Sequence, residues 1–228
     1  MTGGTKKSGP PSGRNLTVRV KSKASRSISS TKWLNRQLND PYVAAAKRDG
    51  YRSRAAYKII QLDERFKLLR PGMRIVDLGA APGGWSQVMA KRIGGKGQLV
   101  ALDILPMPPI DGVTFFEADF TANDSPAKLI AALKGKADLV LSDMAAPTMG
   151  HGKTDHIRIM ALAEMAYDFA AQVLAPGGAF VCKLFQGGAE KEFLALLKKD
   201  FTSVRHAKPE ASRQESAETY IVALGFRI

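Results

Sequence analysis

The segment Arg74-Ile75-Val76-Asp77-Leu78-Gly79-Ala80-Ala81-Pro82-Gly83-Gly84-Trp85 constrains the fold more than any other part of the chain. An apolar run ends in a tight glycine loop, and the next apolar run, Gln98-Leu99-Val100-Ala101-Leu102, is closed by Asp103. In open parallel sheets, ligands sit beyond the carboxyl ends of the strands, and sites for nucleosides begin in this way. Glycines at 79, 83 and 84 tolerate φ > 0 and leave no side chain to block close approach by a ligand. Asp103 is placed to accept hydrogen bonds from ribose hydroxyls.

The loop's spacing narrows the choice of nucleoside. A dinucleotide fingerprint needs G-x-G-x-x-G to seat a pyrophosphate on the helix N-terminus, and here the residue two after Gly79 is Ala81. No G-x-x-x-x-G-K-[ST] occurs, so a triphosphate loop is also unsupported. A nucleoside without a phosphate cradle remains, and S-adenosylmethionine fits that description. A bare strand-to-helix turn would leave Pro82-Gly83-Gly84-Trp85 unexplained.

Strand and helix patterns alternate along the rest of the chain, which predicts an α/β fold with a mainly parallel sheet. Asp40-Pro41 reads as an N-cap with proline at the first helical position. Ser53 opens a second helix, running through Lys58 to about Phe66, and Arg70-Pro71-Gly72 stops it. Seven strands are predicted near 73–78, 98–103, 113–117, 137–142, 178–184, 201–206 and 219–226. Helices are predicted near 84–93, 125–134, 155–174 and 189–199. Ala207 to Thr219 has no helical pattern, so the last strand should return antiparallel, unlike the usual dinucleotide-binding fold. The 228 residues, 45% of them hydrophobic, suffice for one such domain. No apolar run of about 18 residues predicts a membrane span, and no apolar h-region follows the N-terminus. The single Cys182, within an apolar strand, reads as a buried hydrophobe in a cytoplasmic protein.

Charge is unevenly placed. Residues 1–39 hold nine Lys or Arg and no acid, Asp40 being the first carboxylate, so +9 of the net +13 lies there. This Gly-, Ser- and Thr-rich stretch predicts a flexible basic arm over 1–38, disordered through at least about residue 30, ahead of the α/β domain over 39–228. Such an arm suits salt-dependent binding to nucleic-acid phosphates. A mitochondrial transit peptide would share the composition, but the Gly3-Gly4 and Pro10-Pro11 breaks disfavour its amphipathic helix.

Two polar residues stand where a core should exclude them. Lys183 lies in the apolar run Gly178-Ala179-Phe180-Val181-Cys182-Lys183-Leu184-Phe185, the pattern of a strand buried on both faces. An unpartnered ammonium there costs several kcal/mol. Asp143 ends a second such strand, Ala137-Asp138-Leu139-Val140-Leu141-Ser142, and carboxyl ends of neighbouring strands share one crevice. Glu218, before the last strand, and Lys58, on the helix ahead of the glycine loop, would each pass for a surface charge if taken alone.

Over about residues 39–228 the chain resembles the FtsJ family of ribosomal RNA ribose 2′-O-methyltransferases. The likeness runs through Asp40-Pro41-Tyr42-Val43, Gly50-Tyr51-Arg52-Ser53-Arg54-Ala55-Ala56-Tyr57-Lys58, the block Asp77 to Gln87, Ser142-Asp143-Met144-Ala145, Leu174-Ala175-Pro176-Gly177-Gly178, Lys183-Leu184-Phe185-Gln186-Gly187 and Lys208-Pro209-Glu210-Ala211-Ser212-Arg213. The resemblance implies a Rossmann-like S-adenosylmethionine-dependent fold. It implies a catalytic tetrad at Lys58, Asp143, Lys183 and Glu218, and cofactor contacts at Gly83, Trp85, Asp103, Asp119 and Asp143 beside the loop glycines 79 and 84. It also implies as substrate a uridine in the A-loop of large-subunit rRNA, on the assembled or nearly assembled subunit. Relatives often read Asp-Met-Ala-Pro-Asn where this chain has Asp143-Met144-Ala145-Ala146-Pro147-Thr148, and the basic arm is longer than the likeness explains.

Methyl transfer to a ribose hydroxyl suits these residues, because the task is to align the attacking oxygen and manage one proton. Lys183, if neutral, is the base for the 2′-OH; if charged, it orients the hydroxyl and stabilises negative charge on its oxygen. Burial and Lys58 favour the neutral amine, whereas Asp143 and Glu218 favour the ammonium. Asp143 and Glu218 are expected to hold this lysine, with Lys58 tuning the charge. No metal is required, and three histidines with one cysteine suggest no ligand cluster. Arg52, Arg54 and Arg213 are the expected phosphate contacts outside the arm, and 7% aromatic residues favour shape and phosphate recognition over base stacking. No heptads or long apolar stripe ask for a partner, so a monomer is expected. The rivals are a methyltransferase of another RNA and a non-catalytic rRNA-binding assembly factor; the latter would not need a lysine within an apolar strand.

Overall fold

The computed structural model describes residues 28–146, 152–185 and 190–227. The predicted disorder of the first thirty or so residues falls almost wholly outside these, as do Gln186, Gly187 and the loop residues Pro147 and Thr148. Residues 28–38, which the charge pattern assigns to the arm, form helix α1 (Ile28–Leu38).

Capping residues set the next helices. α2 (Pro41–Arg48) starts where Asp40, in an extended conformation, accepts a hydrogen bond from the Tyr42 N–H and Pro41 takes the first helical position. α3 (Ala56–Phe66) begins three residues later than Ser53, because Ser53 and Arg54 form a turn whose carbonyls accept from Ala56 and Tyr57. It ends where Lys67 turns left-handed and returns its N–H to Asp63.

The remaining elements alternate: β1 (Arg74–Leu78), α4 (Gly84–Ile93), β2 (Gln98–Asp103), β3 (Val113–Glu117), α5 (Ser125–Leu133), β4 (Ala137–Ser142), α6 (Gly152–Val173), β5 (Leu174–Phe185), α7 (Lys191–Asp200), β6 (Phe201–Ala207) and β7 (Glu218–Phe226). The seven strands form one sheet in the order β3-β2-β1-β4-β5-β7-β6. β7 is antiparallel to both of its neighbours, as the missing crossover helix predicts, and the others run parallel.

Alternation along each strand divides the core in two. Val76, Leu78, Val100, Val140, Phe180, Cys182 and Ile221 pack under α5, α6 and α7. Ile75, Leu99, Leu141, Val181, Tyr220 and Val222 pack under α2, α3 and α4. On this second face a third, smaller cluster joins Ala80 and Ala101 to Met107 and Ile110, folding the 104–112 segment over the glycine loop. Among the described residues no helix is long and apolar enough to cross a membrane.

β1 is flanked on both sides, Leu78 pairing with Leu102 and with Ser142, so the glycine loop emerges between Asp103 and Asp143. Gly79 is the joint. Its φ is +80°, and a Cβ there would lie 2.7 Å from the Met144 backbone nitrogen. Gly79→Ala is therefore expected to lose about 1–3 kcal/mol of stability through backbone strain and to displace the Asp143-Met144 peptide. Urea unfolding with a methyl-transfer assay checks this; an unchanged midpoint and rate would contradict the close packing.

Candidate active site

Three neighbouring strands build the centre through their register. β4 sets Ser142 beside Cys182 of β5, so the residues that follow, Asp143 and Lys183, meet at the carboxyl edge. β7 sets Tyr220 directly opposite Lys183 and Glu218 opposite Phe185. Residues two apart on a strand share a face, so Glu218 and Tyr220 point to the side covered by α3, which contributes Lys58.

The side chains then form one continuous chain of contacts. Glu218 lies 2.7 and 2.8 Å, through its two oxygens, from Lys58 Nζ. Lys58 Nζ donates to Tyr220 Oη at 3.1 Å, and Tyr220 donates onward to Asp143 Oδ1 at 2.8 Å. Lys183 Nζ stands 3.1 Å from the same Oδ1 and donates to the Asp143 carbonyl at 2.5 Å. Both lysines are buried, at 8% exposure, so each needs its carboxylate partner. All four residues of the expected tetrad are thereby brought together.

Tyr220 was not singled out in the sequence, where it reads as one more apolar strand residue. The available signal was its spacing of two from Glu218, which puts both on one face. Burial keeps its hydroxyl protonated far above the ordinary tyrosine value, with the Asp143 and Glu218 charges acting the same way. It is thus a fixed donor. Burial alone would raise Asp143, but Lys183 and Lys58, with hydrogen bonds from Tyr220 and Lys183, outweigh it and hold the carboxyl below its ordinary value.

Beside this centre lies the glycine loop. Asp103 closes β2, its Oδ2 accepting from Ala81 N–H at 2.9 Å and its Oδ1 from Leu105 N–H at 2.8 Å, while Ile104 and Leu105 are exposed next to it. Ala118 N–H bonds the Asp103 carbonyl, which brings Asp119 to the same rim. The backbone and hydroxyl of Thr121 hold the Asp119 carboxyl below its ordinary value.

Loop residues differ from expectation in what they face. A Cβ on Gly83 would meet Met107 Sδ and Ile110 Cδ1 at 2.8 Å, and one on Gly84 would overlap Ser53 Oγ. These glycines make room for the protein's own 104–112 segment and for the turn before α3. Trp85 donates its indole N–H to the Ala55 carbonyl and packs on Tyr220 with ring centroids 5.6 Å apart. It offers a ligand only its backbone, in the first turn of α4 where N–H groups lack helical partners.

The arginines expected at phosphates are engaged within the chain. Arg52 donates to the carbonyls of Pro108 at 2.6 Å and Pro109 at 2.7 Å, pinning the 104–112 segment. Arg54 pairs with Asp40 at 2.8 Å and donates to the Ala211 carbonyl, and Arg213 lies 3.6 Å from Asp40. Among the described residues no group of three or more His, Cys, Asp or Glu is arranged to hold a metal ion.

The site is thus a strand-end Asp143–Lys183 pair joined to a Lys58–Glu218 pair, beside a glycine loop without a phosphate cradle. The profile of the FtsJ-like methyltransferase family matches residues 51–226. The chain belongs to that family. It is 62% identical to the ribosomal RNA large subunit methyltransferase E of Paramagnetospirillum magneticum, over 99% of this chain and 95% of that protein. It is 63% identical to the protein of the same description from Xanthobacter autotrophicus, over 95% and 87%. A solved ribosomal RNA methyltransferase from Plasmodium falciparum superposes with a TM-score of 0.70 at 33% identity, covering 77% of this chain and 98% of that one.

As a member of the FtsJ-like family, the chain is an S-adenosylmethionine-dependent enzyme, and its residues suit that cofactor. The Asp103 carboxylate would accept from ribose hydroxyls, the exposed Ile104 and Leu105 would offer apolar surface to a flat ring, and the ionised Asp143 would face a cationic group.

Asp77 lies beneath the loop with no exposure. Ser86 donates to its Oδ2 at 2.6 Å, and its Oδ1 has no partner among the described residues. Burial pushes this carboxyl up to about 7, against the Ser86 hydrogen bond and with help from the Asp143 and Asp103 charges. The folded state therefore holds this proton more tightly than the unfolded chain, so stability falls as pH rises from about 4 to about 7 and then levels. Asp77→Asn should raise the melting temperature more at pH 8 than at pH 4. Equal shifts at both pH values would count against a neutral Asp77.

Proposed function

We propose that this enzyme methylates the ribose 2′-OH of a uridine in the A-loop of large-subunit (23S-type) rRNA, on the assembled or nearly assembled subunit in the bacterial cytoplasm. The observation that carries the reading is the placement of Lys183 Nζ. Among the described residues it makes two contacts, with the Asp143 carbonyl and Oδ1, which leave one position on the nitrogen for a third group. If Lys183 is an ammonium, that position is an N–H aimed at the ribose oxygen; if it is an amine, it is a lone pair ready for the hydroxyl proton.

S-adenosylmethionine, when bound, supplies an activated methyl group on a positively charged sulfur. The 2′-oxygen would take that methyl as the carbon–sulfur bond breaks, and Lys183 would receive the hydroxyl proton or guide it to solvent. Asp143 orients Lys183 by two contacts. Glu218 neutralises Lys58, and Tyr220 ties the two pairs together, so neither lysine can swing away without leaving a buried charge unpaired. The relatives' designation as ribosomal RNA large subunit methyltransferase E supports rRNA as the substrate. The protein acts as a monomer, without a metal.

Lys183→Ala should lower methyl transfer to unmodified large subunits by about 100- to 10,000-fold, with cofactor binding by calorimetry retained. Label appearing as 2′-O-methyluridine with the wild type establishes the acceptor; label on another RNA would redirect it.

The basic arm, whose residues 1–27 lie outside the described residues, is proposed as a phosphate contact. Deleting residues 1–27, which carry seven Lys or Arg, should weaken subunit binding and make its dependence on salt shallower. Identical affinity across a salt titration would remove the arm from the interface.

A further inference from the structure

The connection between β6 and β7, residues 208–217, contributes to the site a residue that neither the tetrad nor the cofactor loop includes. Ser212 is buried at 3% exposure, and its hydroxyl donates to Glu218 Oε1 at 2.8 Å. That oxygen is also 2.7 Å from Lys58 Nζ. A carboxylate at the start of a strand can rotate about its side-chain torsions. Contacts from Lys58 alone would let it follow the lysine, whereas a second donor from a different segment fixes its plane.

The segment that carries Ser212 is itself anchored. The neighbouring Ala211 peptide is clamped on both sides: its N–H donates to Gln61 Oε1 at 2.8 Å, and its carbonyl accepts from Arg54. Arg54, Lys58 and Gln61 stand at i, i+4 and i+7, so one face of α3 and its leading turn makes all three contacts. Lys208 Nζ closes the loop on itself through the carbonyls of Gln214 at 3.1 Å and Ser216 at 2.7 Å, and Ser212 N–H bonds the Pro209 carbonyl at 2.8 Å. The contacts make a closed ring from α3 through Lys58, Glu218, Ser212 and Ala211 back to α3.

We infer that Ser212 is a positioning residue for methyl transfer: it holds Glu218 so that both carboxylate oxygens face Lys58, and it acts on the reacting ribose only through that pair. This rests on the proposed 2′-O-methylation. A serine that merely satisfied a buried loop would affect stability; one that positions Glu218 affects turnover, and only while Glu218 can accept its hydrogen bond.

The test measures kcat and KM for S-adenosylmethionine and for unmodified large subunits in wild type, Ser212→Ala, Ser212→Thr, Glu218→Ala and the double variant Ser212→Ala/Glu218→Ala. Loss of one hydrogen bond to a charged group predicts a fall in kcat of roughly 10- to 100-fold for Ser212→Ala. Both KM values should stay within about twofold of wild type, with activity largely restored in Ser212→Thr. In the Glu218→Ala background, followed by single-turnover label incorporation, Ser212→Ala should cause no further loss. Unchanged kcat, a defect confined to KM, or the same fold loss in both backgrounds overturns the inference. If Ser212→Ala does not fold, Ser212→Cys, of similar volume but a weak donor, takes its place in the same cycle, and the same outcomes support or overturn the inference. Absence of transfer by the wild type would instead overturn the acceptor proposed above.

Discussion

The register between β4, β5 and β7 is the constraint on which the rest of the site depends. It sets Asp143, just past the end of β4, beside Lys183 of β5 and Tyr220 of β7, at the edge where parallel strands end. A slip of one residue in β7 would turn Tyr220 and Glu218 to the opposite face, beneath α6 and α7. The antiparallel return of the last strand therefore does more than complete a sheet. It brings a carboxylate from the C-terminal region back to a lysine on α3, 160 residues earlier in the chain.

Electrostatics favours this layout because each of its four charges has an opposite partner. Two lysines and two carboxylates alternate, and the Tyr220 hydroxyl joins the two pairs. The environment then divides the carboxyls sharply: Asp143, between lysines, is held ionised, whereas Asp77, a short way below with only Ser86 as donor, is pushed toward neutrality. One sheet edge thus holds an anion at Asp143 and, beneath it, a nearly neutral carboxyl where a second anion would be repelled.

Much of the fold was legible in the residues. Lys183 within an apolar strand, Asp103 closing β2 and the helix-free stretch before β7 each departed from a local rule, and each departure marked a real feature. Other features left no such mark. Tyr220 and Ser212 belong to residue types that strands and loops accommodate routinely, and only their partners distinguish them. Trp85 and the arginines at 52 and 54 were visible as unusual side chains, but their partners are backbone carbonyls and an aspartate distant in sequence, which periodicity does not encode. The helix at Ile28–Leu38 was obscured by the basic, Ser-rich composition that surrounds it.

By itself the sequence determined the alternating α/β architecture, the nucleoside-type loop without a phosphate cradle, and the identity of the residues that carry charge into the core. Those properties follow from local periodicity, glycine chemistry and the cost of burying an ion. Tertiary structure alone decided how those charges pair, which hydroxyls bridge and brace them, and that the loop glycines yield their space to Met144, Met107 and Ser53. Pairing is a matter of distances between segments 40 to 160 residues apart, and sheet register and helix docking set those distances after the local elements have formed.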